Sequence, residues 1–363
     1  MKTLWTPLTV GAMELPHRLA MAPMTRDRSG ADGVPGELNV EYYRQRASMA
    51  LIITEGTQPS ADGQGYLLTP GLHTDAHIAG WREVTDAVHA EGGRIVIQLM
   101  HTGRIAHPDN TPHHRTPVAP SAVQPKGVMF TATGPQEMPV PRALAVDEIA
   151  GVVDEFRHAA AAAVAAGFDG VEIHGANGYL LHQFLSGNAN ERGDRYGGSV
   201  AHRIRFATEV TAAVAAEIGA DRTGLRISPG NPYNDISEPD THEVYPALLA
   251  AIDPLGLAYL HLIQGPDEEL LRRIRRQWST ALIVNRAGAP LDARFADLDS
   301  GLADVVSVGA TALANPDLPH RVRTGAPLNE PDPATFYGGD HRGYTDYPTL
   351  PTTPMTATTG MAS

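Results

Sequence analysis

The sequence contains no cysteine, which excludes disulfides, iron–sulfur clusters, thiolate zinc sites and cysteine nucleophiles together. Any redox chemistry must therefore run on an organic cofactor. Long apolar runs are also missing. None approaches the ~20 residues of a membrane span, and the opening "MKTLWTPLTVGAMELPHRL" shows no continuous apolar segment with a cleavage site. The expectation is a cytoplasmic protein with no membrane partner. Basic charge is scarce as well: Lys+Arg 28 against Asp+Glu 41 gives a formal net charge of −13. A nucleic-acid groove needs a basic footprint, so no nucleic-acid partner is expected, and the acidic surface needs no role beyond solubility.

What is present is a strand–helix alternation. At 363 residues the chain has room for two ordinary domains or one large α/β barrel with insertions. Eight short apolar runs begin at Leu19, Ala50, Arg94, Gly170, Thr223, Tyr259, Ala281 and Asp304. Near-continuous apolar strands suit a parallel sheet buried on both faces. Between most of them lie segments of helical spacing, such as "TDAHIAGWREVTDAVHAEGG", which opens on a Thr/Asp cap signal and stops at Gly92 and Gly93. The pattern predicts an α/β fold, a single (β/α)₈ TIM barrel over residues 1–348. A doubly wound sheet is the alternative, but eight units and no early Gly-rich fingerprint favour closure. "LWTPLTVGAMELPHRL" alternates around Gly11 and predicts an N-terminal hairpin capping the bottom of the barrel. The Pro-, His- and Thr-rich stretch from about 108 to 142, after strand three, is too long for an ordinary connection and reads as a lid. Residues 349–363 have little to bury and read as a disordered tail.

Active sites of such barrels lie at the C-terminal ends of the strands. There the sequence places Pro23, Met24, Thr25 and Arg26, then Gln98, Met100 and His101, then His174, Asn177 and Tyr179, then Arg226 and Ser228, and finally Gly309. Read alone, each residue has a bland alternative. His174 can be a structural hydrogen-bonder, Thr25 a turn cap, Gln98 and Arg226 a polar brace in the barrel, Tyr179 and Tyr337 packing against the lid, and Met100 core filler. His101, His107, His113 and His114 suggest a metal tract, yet no carboxylate pair accompanies them, and a solvated loop or lid is the better account.

Taken together and in order, "MAPMTR", "VIQLMHTGR", "GVEIHGANGYLLHQFLS", "RYGGS", "LRISP", "ANPDL" and "FYGGDHRGYTDYP" resemble the old yellow enzyme family of FMN-dependent ene-reductases, from about Leu4 to Pro348. The resemblance implies non-covalent FMN, with NADPH or NADH as hydride donor, and an activated alkene as substrate. The residues expected to hold the cofactor are Pro23, Met24, Thr25, Gly56, Gln98, Arg226, Arg286, Ala287, Gly288, Gly309 and Ala310. Gln98 and Arg226 would meet the pyrimidine edge of the ring, and Thr25 its O4. His174 and Asn177 match the pair that grips the substrate oxygen, Tyr179 the proton donor, and Tyr66, Met100 and Tyr337 the substrate pocket. The family usually has Gly-Arg before "ANPDL", with the arginine on the FMN phosphate. Here Gly309 is followed by Ala310, so backbone amides and Arg286 are the remaining candidates. The resemblance leans to NADPH and to a monomer or homodimer. The competing functions are nitroester or nitro-compound reduction at the same site, a flavin-free ligand-binding barrel, and a zinc-dependent barrel hydrolase. An iron–sulfur demethylase is disfavoured by the missing cysteine.

Overall fold

A computed structural model describes residues 2–351 of the chain. The eight apolar runs form β1 (Leu19–Met21), β2 (Leu51–Thr57), β3 (Ile95–Leu99), β4 (Gly170–Gly175), β5 (Thr223–Ile227), β6 (Tyr259–Ile263), β7 (Ala281–Asn285) and β8 (Val305–Val308). They pair parallel in chain order, and β8 closes on β1 through the register Val306↔Leu19 and Val308↔Met21, which makes a closed barrel. Helices run between the strands and cover the barrel. The one at Asp75–Ala90 starts on Thr74, whose hydroxyl accepts the His77 N–H at 3.2 Å, a cap of the kind that contributes about 1 kcal/mol.

Side chains alternate along each strand, so the interior is built in layers. The lowest contains Ala20, Leu51, Ile53, Val96, Tyr259, Ile283 and Val305. These form one buried cluster with Val10, Met13 and Leu15 of the N-terminal hairpin, whose strands Leu8–Val10 and Met13–Leu15 turn at Gly11. That end is sealed by apolar contacts. Two residues further along the strands the interior turns polar, with Gln98, Glu172, His261, Asn285 and Ser307 all buried.

The segment after β3 contains a short parallel pair, Val118–Ala119 with Arg142–Ala143, and a hairpin, Val128–Thr131 with Gly134–Glu137. Met129 and Met138 of this segment pack with Met100, Ile105 and Tyr179, and Tyr66 packs against the group. The insertion therefore lies over the open end of the barrel. At the other terminus the Leu350 N–H donates to Asp317 at 2.8 Å, and the Pro348 carbonyl accepts from Arg321 and Asn329. The chain is thus tied down slightly beyond the expected boundary at 348, and the rest of the expected tail, 352–363, lies outside the described residues. Among the described residues, no helix is long and apolar enough to cross a membrane.

Candidate active site

A cavity of about 490 Å³ opens at the C-terminal ends of the strands. Pro23, Met24, Thr25, Gln98, Met100, His174, Asn177, Tyr179, Arg226, Gly309 and Ala310 line it, together with Tyr66, Tyr337, Tyr233, Asn234, Leu313 and Phe336. Most come from the end of a strand or the loop after it; Leu313 comes from the helix after β8, and Phe336 and Tyr337 from the C-terminal segment. The strand period places Glu172 and His174 on the inward face of β4, with His174 nearer the opening.

His174 is buried, and its Nδ1 accepts the Ala176 N–H at 3.2 Å. That leaves Nε2 to carry the ring proton. Burial, with Arg226 next in effect, holds the imidazole well below its usual pKa, so the ring is neutral and presents an N–H donor. Asn177 takes up left-handed backbone geometry at φ 55°, a conformation that asparagine tolerates better than most residues. Its Oδ1 accepts from Asn231 Nδ2 at 3.1 Å, its carbonyl from Asn234 Nδ2 at 2.7 Å, and its N–H donates to Ser228 Oγ at 2.8 Å. The amide is thus oriented with its NH₂ group unspent. Gly178, at φ 78°, lets this turn pass the next loop, since a Cβ there would fall 2.7 Å from the Tyr233 carbonyl oxygen.

The Tyr179 hydroxyl lies 2.9 Å from that of Tyr66. Burial pushes it up to about 12, so it is protonated throughout the physiological range. The short helix Leu180–Leu185 anchors the turn. His182 Nδ1 accepts the Gly178 N–H at 3.0 Å, and Gln183 donates to the Gly178 and Thr102 carbonyls. These bonds give "LLHQFLS" a physical role: it clamps the loop that carries Asn177 and Tyr179.

Gln98 donates from Nε2 to Glu172 at 2.8 Å, which leaves its Oε1 and second amide hydrogen free. Arg226 is buried, and its Nε has no hydrogen-bond partner among the described residues. Burial lowers its pKa, but a guanidinium stays charged at neutral pH. Met24 and Gly309 touch closely, a Cβ on Gly309 falling 3.2 Å from Met24 Sδ.

Tyr337 reaches the mouth because the C-terminal segment is tied to the loop after β1. Arg26 donates to the Phe336 and Gly343 carbonyls at 2.9 Å each and sits over the rings of Tyr42 and Tyr344. Glu55 accepts the Arg26 and Asp27 amides at 2.9 and 3.2 Å and fixes the same loop from beneath.

Four of the residues expected at a cofactor are not brought to the cavity. Gly56 lies beneath Met100, where a Cβ would fall 2.5 Å from Met100 Sδ. Arg286 is ion-paired to both Glu268 and Asp297 and faces a separate cleft with Arg272, Arg275 and Arg276. Two carboxylates from neighbouring helices neutralise it, which the local sequence does not reveal. Ala287 and Gly288 follow it in the turn after β7 and do not line the cavity. Arg294, passed over in the sequence, is buried at this end and donates to the Ala289 and Ser307 carbonyls at 3.0 Å each, joining the loop after β7 to β8. Asn231, Asn234 and Tyr233 were also passed over. The histidines of the lid are spent locally: His113 Nε2 on the Ala61 carbonyl, His114 Nδ1 on that of Pro108.

A barrel with this set of groups at its open end belongs among flavin-dependent oxidoreductases, and comparison with known proteins agrees. Residues 3–329 match the NADH:flavin oxidoreductase / NADH oxidase family, and the chain belongs to that family. It is 43% identical over 351 residues to a probable flavin mononucleotide-dependent alkene reductase of Leishmania infantum, covering 94% of this chain and 96% of that one. It is also 43% identical to a chanoclavine-I aldehyde reductase of Penicillium roqueforti, covering 96% of each. Among solved structures, morphinone reductase in complex with tetrahydroNAD is similar, at 45% identity and a TM-score of 0.92 over 96% of this chain and 98% of that one. The old yellow enzyme homologue of Zymomonas mobilis aligns at 39% identity and a TM-score of 0.93, covering 96% and 100%. The protein is an FMN-dependent oxidoreductase that uses NAD(P)H.

Proposed function

We propose that the enzyme reduces the C=C bond of α,β-unsaturated carbonyl or nitro compounds, with His174, Asn177 and Tyr179 as its catalytic residues. The observation that carries this reading is the orientation of the donors. The acceptor atoms of His174 and Asn177 are both spent on the protein, so only N–H groups remain to face a ligand. Two such donors suit one electron-rich oxygen.

The residues present fit FMN. The cavity wall offers a charged guanidinium whose Nε has no hydrogen-bond partner among the described residues, a glutamine with free polar atoms and the Thr25 hydroxyl. A buried polar group left without a partner costs roughly 1–3 kcal/mol, so such a wall is built for an occupant. Arg226 and Gln98 would hold the pyrimidine edge, Thr25 the O4 side, and Pro23 and Met24 the ring's flank. The amides of Gly309 and Ala310, with Arg294 behind them, would take the phosphate. When bound, FMN supplies the hydride that it has received from NAD(P)H.

The protein's own part has two steps. Nε2–H of His174 and Nδ2–H of Asn177 hold the substrate oxygen and stabilise the negative charge that grows there as the β-carbon is reduced. Tyr179 then gives its proton to the α-carbon, and the Tyr66 hydroxyl 2.9 Å away can donate to the oxygen left behind. Tyr66, Met100 and Tyr337 border the remainder of the substrate, and Met100 is adaptable in shape. The cavity admits donor and alkene in turn, so the cycle is ping-pong. Nitro-compound and nitroester reduction at the same two donors is the second reading, since a nitro oxygen presents the same acceptor. A cytoplasmic setting and a monomer or homodimer complete the proposal.

The test is anaerobic: reduce the holoenzyme with one equivalent of NADPH, add cyclohex-2-enone, and follow flavin absorbance and product. Stoichiometric saturated ketone is expected. Reoxidation by a nitroester but not by any enone would transfer the assignment to the second reading.

A further inference from the structure

Below the cavity floor lies a polar layer whose donors converge on Glu172. Asn285 Nδ2 donates to Ser307 Oγ at 3.0 Å, and Ser307 Oγ lies 2.8 Å from His261 Nε2. His261 Nδ1 lies 2.8 Å from Glu172 Oε2, and Gln98 Nε2 donates to Glu172 Oε1 at 2.8 Å. With His261 neutral, one tautomer satisfies the whole chain: Nδ1–H to Glu172, Ser307 O–H to Nε2. Both carboxylate oxygens accept, and the residue is fully buried. Strand register produces the layer, since Glu172 on β4 pairs with Gln98 on β3, and His261 on β6 pairs with Arg226 on β5.

The charge state follows from the neighbours. Burial pushes the Glu172 carboxyl up, but His261 and then Arg226 outweigh it and hold the group below its usual pKa. His261 is itself lowered, by burial first. The layer therefore contains a glutamate anion, a neutral histidine and, on the cavity side, the Arg226 cation.

We propose that Glu172, which does not line the cavity, is a positioning residue for the cofactor: it sets the direction of the Gln98 amide and supplies the counter-charge that moderates Arg226, thereby lowering the reduction potential of bound FMN. The first part is geometric. With Nε2 held by the carboxylate, Gln98 can turn only Oε1 and one N–H towards the cavity, so its pattern of acceptor and donor is fixed before the cofactor binds. The second part is electrostatic. Reduction adds negative charge to the ring beside Arg226, and a buried anion on the other side of that guanidinium opposes it in a medium where screening is weak.

The inference rests on the assignment of Gln98 and Arg226 to FMN, and the test separates the two. The midpoint potential and FMN dissociation constant of wild type, Glu172→Gln and Glu172→Asp are measured on the holoproteins by dye-coupled reduction and by fluorescence titration. Glu172→Gln should raise the potential by about a tenfold change in the reduction equilibrium, about 30 mV for a two-electron couple. Glu172→Asp keeps the charge but shortens the reach to Gln98, so its potential should stay within threefold of wild type in the same equilibrium while FMN dissociates at least threefold more readily. A Glu172→Gln potential within threefold of wild type overturns the proposal. Should Glu172→Gln fail to fold, Glu172→Asp decides: wild-type FMN affinity overturns the proposal, and weaker affinity with the potential kept supports it. If Gln98→Ala and Arg226→Ala bind FMN as wild type does, it is the underlying assignment that fails.

Discussion

Replacing Tyr179 with phenylalanine removes one atom from the site and separates the two halves of the reaction. At a pKa of about 12 the hydroxyl lies some five decades above neutral pH, so on the order of one molecule in 10⁵ is ionised at pH 7. It is a proton donor in effectively every molecule. A positioned general acid contributes ~10²–10⁴-fold, or roughly 2.7–5.4 kcal/mol. The same deletion deprives the Tyr66 hydroxyl of its 2.9 Å partner, a loss of roughly 1–3 kcal/mol that falls on stability and not on the hydride step. Stopped-flow absorbance resolves these effects. Reduction by NADPH in Tyr179→Phe should stay within about threefold of wild type, whereas reoxidation by cyclohex-2-enone should slow by ~10²–10⁴-fold. In wild type, reoxidation should be independent of pH from 6 to about 10 and fall only as the hydroxyl ionises near 12. An enone reoxidation rate in Tyr179→Phe within threefold of wild type would refute the role of Tyr179.

Met100→Trp fills the wall under Met129 and Met138 and should slow bulky enones about tenfold or more relative to cyclohexenone, reflecting more than 1.4 kcal/mol of differential fit; an unchanged ratio counts against Met100 as pocket lining. Asn231→Ala removes the 3.1 Å bond that orients the Asn177 amide and should raise the enone KM by about fivefold, from the loss of about 1 kcal/mol, with FMN content unchanged; an unaltered KM would show that Asn177 is oriented without it. Asp27, at φ 56°, is pushed up to about 8, first by burial and then by the Glu55 charge. Between the unfolded value near ~4 and that value, the folded chain retains a proton that the unfolded chain has lost, so this group lowers stability as pH rises through the window. In urea unfolding, Asp27→Asn should match wild type near pH 4 and exceed it by roughly 1–3 kcal/mol at pH 9; equal stability at both pH values would contradict the assignment.

The barrel was legible because each of its strands is buried on both sides, which leaves a run of apolar residues that no loop would carry. The proposed catalytic trio was legible because "HGANGY" is a local arrangement, one turn of chain from His174 to Tyr179. What holds that trio is not local. Asn231 and Asn234 orient Asn177 from the loop after β5, and nothing in "SPGNPYND" announces that these amides face β4. The surroundings of Arg286 are equally non-local, its carboxylate partners Glu268 and Asp297 being supplied by helices on either side of it in sequence. Gly56, expected at the cofactor, sits against Met100, where a Cβ would have no room. Glu172 passed unnoticed inside an apolar run, and only the register of three strands shows that its charge is answered.

The most direct test of the account is a titration of the FMN-bound enzyme with a para-substituted phenol, followed by visible absorption, in wild type and in the His174→Ala, Asn177→Ala double variant. A broad long-wavelength charge-transfer band in wild type, absent from a double variant that still holds FMN, is the predicted result. It would place FMN and the two donors in one site. A band of equal strength and midpoint in both proteins would contradict the claim that His174 and Asn177 grip the ligand oxygen, and with it the proposed reduction.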